Sequence, residues 1–358
     1  MALSDTEPLL AAVVIARNEE RWIDVCLRSV IAAVVPFAGT EVVLVDSCSS
    51  DGTVERARRF PVRVVELRPD APLSRALGRL VGQYVTRSRY VLFVDGDTEI
   101  EAAWVKAAVD YLDLSPRVAG VGGKLPEVYY DGGRVVGGTP DVFGAGDAPA
   151  EVDELGGNAI YRRAVLDTIG SFNPFIASYE ESELTERLRQ AGHAVVRLPV
   201  VLGTHHTGAR GSLKELSRRY RDNLIKGYGQ VLRAALRQGT LRRHVQRMKR
   251  YLQFQAALAL ALLALGAGVV LRDWRLPAMW AAGATAGIVL LMLRGRSLTK
   301  PFRLIAEWAA WTPPMLVGFF ERPRDPRELQ LADVIARQID CRVPPRATVR
   351  GAREAQLG

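Results

Sequence analysis

The chain has 358 residues, 48% of them hydrophobic and 24% charged, which excludes a disordered chain, a collagen and a low-complexity scaffold. Its net charge of +9 and isoelectric point near 9.7 suit phosphorylated substrates, anionic lipid or nucleic acid. Cys26, Cys48 and Cys341 are too widely spaced for a disulfide framework or a CxxC zinc site, and fit a reducing compartment.

The N-terminus lacks a basic segment followed by an apolar run, so no cleaved signal peptide is expected. Ala11 to Ala16 is a continuous apolar run, suited to a buried parallel strand. Arg21 to Val35 follows with helical spacing, and Glu41 to Asp46 reads as a second strand. Ser47 to Gly52 is a turn that caps a helix over Thr53 to Arg59. Val62 to Glu66 is a third strand, Ser74 to Arg87 a helix, and Tyr90 to Val94 a fourth strand. This alternation predicts an α/β domain with a mainly parallel sheet, whose ligands bind beyond the carboxyl ends of the strands. Asp46 and the Asp95-Gly96-Asp97 triplet stand at such ends.

Two carboxylates two residues apart after a hydrophobic strand suit a hard divalent cation bridged to phosphate oxygens, although most such triplets are solvated turns. Glu180, Glu181 and Glu183 cluster at the start of a helix that Gly192 stops. Complementing the helix dipole is one reading of one or two of these acids, and a general base is the other. His205-His206 follow a strand over Ala194 to Val201 and read either as loop residues or as metal ligands. The run Arg218, Arg219, Tyr220, Arg221 and Lys226 precedes two apolar stretches, so lipid or phosphate is a more economical partner than nucleic acid.

Those stretches, 253–271 and 276–293, are uncharged and near the ~20 residues needed to cross a bilayer. A buried soluble hairpin is the alternative. Arg242, Arg243, Arg247, Lys249 and Arg250 lie before them, and Arg294, Arg296, Lys300 and Arg303 after, which predicts cytoplasmic flanks and an outward tip at Trp274. The stretch 304–320 holds Glu307 and Pro313-Pro314, and reads as a kinked interfacial or re-entrant segment. The expected division is therefore a catalytic domain over 1–240, a membrane region over 241–320 and a basic cytoplasmic tail over 321–358 containing Arg322, Arg324, Arg327, Arg337, Arg342 and Arg346.

Five segments in order resemble family 2 glycosyltransferases, inverting enzymes with a GT-A fold: VVIARNEE from Val13, VVLVDSCSSDGT from Val42, YVLFVDGD from Tyr90, GGNAIYRRAVLDTIGSFNP from Gly156 and EESELTERLRQAG from Glu180. The resemblance spans Leu10 to Gly229. It departs from the family at Ser47, where a second acid often stands, and at Glu181, where aspartate is common. Taken with the two apolar stretches and their basic flanks, it points to a membrane-anchored enzyme of the inner cell membrane, moving a sugar from a UDP- or GDP-linked donor to a lipid-linked or cell-envelope glycan acceptor. Glu181 would be the base. Ala16, Arg17, Glu19, Asp46, Ser74, Arg75, Asp95, Gly96, Asp97, Gly157, Asn158 and Arg218 would hold the donor. Asp97 with His205 or His206 would hold Mg2+ or Mn2+, and the paired glycines before Asn158 would let backbone approach the sugar.

Two other readings compete. A nucleotidyltransferase would place a glycine-rich phosphate loop after the first strand, and Ala16-Arg17-Asn18-Glu19-Glu20 is no such loop. An inactive membrane-bound carbohydrate- or partner-binding module would be expected to have lost the paired aspartates or the helix-start acid, and both are present.

Overall fold

The computed structural model describes residues 7–208 and 213–342. Arg346 and the rest of the C-terminal tail beyond 342 lie outside the described residues, as do residues 1–6. Two compact units are present: one of residues 7–175, 180–208 and 324–342, the other of residues 176–179 and 213–323.

The first unit begins with β1 (Leu10–Ala16), α1 (Ile23–Val34), β2 (Glu41–Asp46), α2 (Thr53–Ala57) and β3 (Arg63–Leu67). It continues through α3 (Arg75–Val85), β4 (Tyr90–Asp95), β5 (Thr98–Ile100), α4 (Ala102–Leu114) and β6 (Val118–Lys124). A hairpin of β7 (Glu127–Asp131) and β8 (Arg134–Thr139) follows, then β9 (Ala150–Glu151) and β10 (Ala159–Arg162). The last elements before residue 208 are α5 (Arg163–Ile169), α6 (Glu180–Gln190), β11 (Ala194–Val201) and β12 (Gly203–Gly208).

The apolar runs become strands buried on both faces; every residue of β1 is buried. The main sheet has the order β13-β3-β2-β1-β4-β10-β6-β11-β9, where β13 is Ile335–Asp340. It is parallel from β3 through β4, and β10 enters antiparallel between β4 and β6, so the sheet is mixed. Register places Ala16 beside Asp46 and Ile15 beside Asp95, which brings the ends of β1, β2 and β4 together. A smaller sheet, β5-β12-β7-β8, covers the chain just after the aspartate triplet.

The second unit is helical: α7 (Leu213–Arg221), α8 (Lys226–Arg237), α9 (Leu241–Arg247), α10 (Lys249–Leu271), α11 (Arg275–Gly295) and α12 (Lys300–Phe320). Helices α10 and α11 have mean hydropathies of 2.2 and 1.8, long and apolar enough to cross a membrane. Their side chains are largely unpacked: α11 buries none, and α10 only Tyr251 and Gly268.

One expectation changes here. The tail expected over 321–358 gains a role in the main sheet, because its segment β13 pairs antiparallel with β3. Arg337 grips Glu66 with Nη2–Oε1 at 2.6 Å, and Arg342 Nη1 lies 2.9 Å from Glu41 Oε1. The reason is backbone satisfaction: without β13, β3 would present an open edge of unpaired N–H and C=O groups. A chain ending at Val334 should therefore melt earlier and self-associate in light scattering. Unchanged melting and a single monomeric species would show that the edge needs no cover.

Candidate functional site

The site is built from the carboxyl ends of β1, β2 and β4, where the sheet order reverses direction. Asp46 closes β2 and is 2% exposed. Burial raises its pKa, opposed by Ser49, whose hydroxyl and N–H donate to it at 2.5 and 2.9 Å. The loop after β1 is laced to the loop after β2: Asn18 N–H donates to Ser49 Oγ, and Glu19 N–H to Thr53 Oγ1, both at 2.8 Å. Ser50 N–H donates back to Asn18 Oδ1 at 2.8 Å. Ala16 is buried at the end of β1, and Arg17 beyond it is exposed.

The aspartate triplet is fixed through its backbone. Asp95 N–H donates to Asn158 Oδ1 at 2.8 Å, and Gly96 N–H to Ile15 O at 2.9 Å. A Cβ on Gly96 would lie 3.0 Å from Ala16 Cβ and 3.1 Å from Ile15 O, so the close approach of this turn to β1 requires glycine there. Burial, then Asp97 and Asp95, push Glu19 up to about 8.

Strand β12 decides between the two histidines. Side chains alternate across a strand, so neighbours cannot face the same way. His205 Nε2 lies 3.1 Å from Asp97 Oδ2, and its Nδ1 lies 2.9 Å from Glu127 Oε1. Burial alone would lower the His205 pKa, but its bonds to Asp97 and Glu127 hold it at about 10. His206 points elsewhere: it stacks on Trp22 at 4.3 Å, and its Nδ1 bonds the Tyr130 hydroxyl at 3.1 Å. His206 is therefore withdrawn as a candidate metal ligand, and His205 stays.

The second half of the site is the start of α6. Glu181, 16% exposed, is pushed up to about 7 by burial and by Glu180 beside it, with Arg79 opposing. Arg79, fully buried on α3, donates to Glu180 Oε1 at 2.7 Å and to Asp95 Oδ1 at 2.9 Å. Its Nη1 lies 3.2 Å from Glu181 Oε1. Gly157 is explained by the same cluster, since a Cβ there would lie 2.2 Å from Asp95 Oδ2 and 2.6 Å from Arg79 Nη2. Its need for glycine is met inside the protein, before any sugar is considered.

Two expected donor contacts have other roles or places. Ser74 caps α3, accepting from Leu77 N–H at 3.0 Å and donating to Pro174 O at 2.9 Å. Arg218 is an exposed residue of α7, in the second unit. Arg75 is exposed in the first turn of α3, and its charge acts on Asp95, Glu180 and Glu181. Arg79 and Glu127 were not among the residues expected from sequence. Nothing local marks either one: burial reveals the first, and the pairing of β7 with β12 the second.

Carboxylates and one histidine at these strand ends fit a hard divalent cation. Among the described residues no three His, Cys, Asp or Glu side chains form a ready-made cage. Asp97 and His205 supply two donors, which suits an ion completed by phosphate oxygens and water. Glu127 behind His205 stands where an outer carboxylate would orient an imidazole toward a metal.

Comparison with known proteins agrees with this architecture. The family model described as Glycosyl transferase family 2 matches residues 11–170. Glycosyltransferase AglE of Haloferax volcanii is 26% identical over 218 residues, covering 59% of this chain and 71% of the relative. The mannosyltransferase PcManGT from Pyrobaculum calidifontis, solved with GDP-Man and Mn2+, shares the fold with a TM-score of 0.58 at 18% identity, covering 89% of each chain. TarS 1-349 of S. aureus, solved with UDP-GlcNAc, has a TM-score of 0.50 at 20% identity over 78% of this chain and 92% of its own. The chain carries a glycosyl transferase family 2 domain of GT-A-like fold and is a glycosyltransferase.

Proposed function

We propose that the chain is a membrane-anchored inverting glycosyltransferase, taking a sugar from a UDP- or GDP-linked donor to a lipid-linked or cell-envelope glycan acceptor. The observation that carries this is the meeting, at the same strand ends, of Asp97 on His205 and of Glu181 on the Arg79–Asp95 pair. Glu181 accepts the proton of an acceptor hydroxyl as its oxygen bonds to the anomeric carbon of the donor sugar. The bond from that carbon to the diphosphate oxygen breaks on the opposite face, which inverts the configuration. Asp97 and His205 would hold a Mg2+ or Mn2+, whose charge offsets that of the leaving diphosphate. Asp46 and the laced loops behind it offer the nucleoside a rigid, half-polar wall.

The first test is a screen of UDP- and GDP-linked sugars on native membranes, reading nucleoside diphosphate release with and without lipid extract. With the active donor, Glu181→Gln should reduce transfer about 10²–10⁴-fold. A base must be ionised to act, so wild-type transfer should rise with pH through about 7, following Glu181. A flat profile across that range would remove Glu181 from the role. Glu127→Gln should weaken Mn2+ binding about 10–100-fold in calorimetry, because His205 loses its orienting partner. His206→Ala should leave that affinity unchanged.

The proposed topology rests on strand pairing as well as charge. β13 lies in the same sheet as β3, so chain on both sides of the helical segment belongs to one unit. The number of membrane crossings between them must then be even, and α10 with α11 supplies two. Helix α12 meets α10 near the start of that helix: Gln255 Nε2 donates to Thr312 at 2.7 Å, and the Phe254 and Trp308 rings lie 5.6 Å apart. It packs on α8, where Lys226 and Gln230 hold Glu321 at 2.7 Å each, and polar α8 cannot follow it through a bilayer. Apart from Arg303 near its start, the exposed residues of α12 are apolar (Phe302, Ala306, Ala309, Pro313, Leu316, Val317 and Phe320), as suits a helix lying in the headgroup layer. In a chain otherwise lacking cysteine, Trp274→Cys should react with an impermeant maleimide on intact cells, and Gln338→Cys only after permeabilisation. Labelling of Gln338→Cys from outside would overturn the orientation.

A further inference from the structure

Arg79 occupies a place where a charge is costly. It stands on the buried side of α3 that Ala76, Gly82 and Gln83 share, and its guanidinium lies 5.3 Å from the centre of the Phe172 ring. Such a cation persists only where anions enclose it, and the anions here are the acids of two different functional ends: Asp95 of the aspartate triplet, and Glu180 and Glu181 of α6. The planar fork divides between them, Nη2 to Asp95 and Nη1 to both glutamates. A lysine could satisfy the charge but not the divided geometry. Gly157 and Asn158 close the frame, one by leaving room for the pair and the other by holding the Asp95 N–H.

Resting on the assignment of Glu181 as base, we propose that Arg79 is a positioning residue: one buried guanidinium holds Asp95 at the donor end and Glu181 at the acceptor end in a fixed mutual geometry, so that a donor seated at Asp95 meets a base already in place. Arg79 touches no reacting atom. Its second effect is on acidity. The groups facing Glu181 are Glu180 on its own helix, Arg79 and Arg75 from α3, Asp95 from β4 and Tyr161 from β10. Glu180 and Asp95 favour the protonated base, and Arg79 opposes them. Removing Arg79 therefore leaves Glu181 protonated to higher pH.

The experiment compares Arg79→Met, Arg79→Lys and Glu180→Gln in the full-length protein. Glu181 is titrated by infrared difference spectroscopy, using the protonated-carboxyl band that vanishes in Glu181→Gln. Arg79→Met should move the midpoint of that band up by about 1–3 pH units. Arg79→Lys should restore the midpoint, and Glu180→Gln should lower it. With the donor found by the screen, Arg79→Lys should lose about 10–100-fold in kcat with little change in KM, because charge is kept and placement is lost. A merely structural arginine would lower the melting temperature of Arg79→Met while leaving the Glu181 midpoint unmoved, and that result overturns the proposal. If Arg79→Met does not fold, Arg79→Lys decides alone: wild-type kcat sinks the positioning role. Full turnover by Glu181→Gln would instead remove the base assignment on which it rests.

Discussion

The structure is organised around a local excess of carboxylate. Glu19, Asp95 and Asp97 crowd the ends of β1 and β4, and Glu180 and Glu181 approach Asp95 from the start of α6. Like charges at these distances oppose one another strongly where water is excluded. Four of these five acids are tied to a specific counter-group: Arg79 for Asp95, Glu180 and Glu181, His205 for Asp97. Burial first, and then the repulsion left over, raises the pKa values of Glu19 and Glu181. A site so constituted has room for a cation and a proton, which is the demand of sugar transfer from a diphosphate.

The surrounding fold serves that constraint. Parallel pairing of β1 with β2 and β4 sets three strand ends side by side, and the glycine of the aspartate triplet lets the turn lie against β1. The small sheet then brings Glu127 and His205 into register as direct partners on β7 and β12. Backbone pairing thus places the imidazole before any side-chain bond forms. The histidine answers to Asp97 on one nitrogen and Glu127 on the other, so its ring orientation is not free.

Much of this was legible in the sequence because its signals are local. Runs such as Val42 to Val45 and Tyr90 to Val94 admit little but buried strands, and the acids that end them fall where ligands gather. What stayed hidden depends on distant pairing. The segment Ile335 to Asp340 alternates in a basic tail and gives no sign of its partner β3 far earlier in the chain. Strand parity, unknown without the register of β12, decides between His205 and His206. Ser74 looked like a donor contact but is a helix cap, a role any serine before a helix is suited to. Arg79 reads as one more surface arginine until burial shows otherwise.

The second unit gives the chemistry a place. The proposed anchoring beside a lipid-borne acceptor rests on two helices long and apolar enough to cross a membrane and on a strand after them that returns to the main sheet. The central claim remains chemical: one carboxylate, Glu181, drives a single displacement at the anomeric carbon. Nuclear magnetic resonance of the transferred sugar, followed from the first turnover, tests this most directly. The account predicts an anomeric configuration opposite to that of the donor. A product that retains the donor configuration would contradict it, because retention requires two displacements or attack from the leaving-group face.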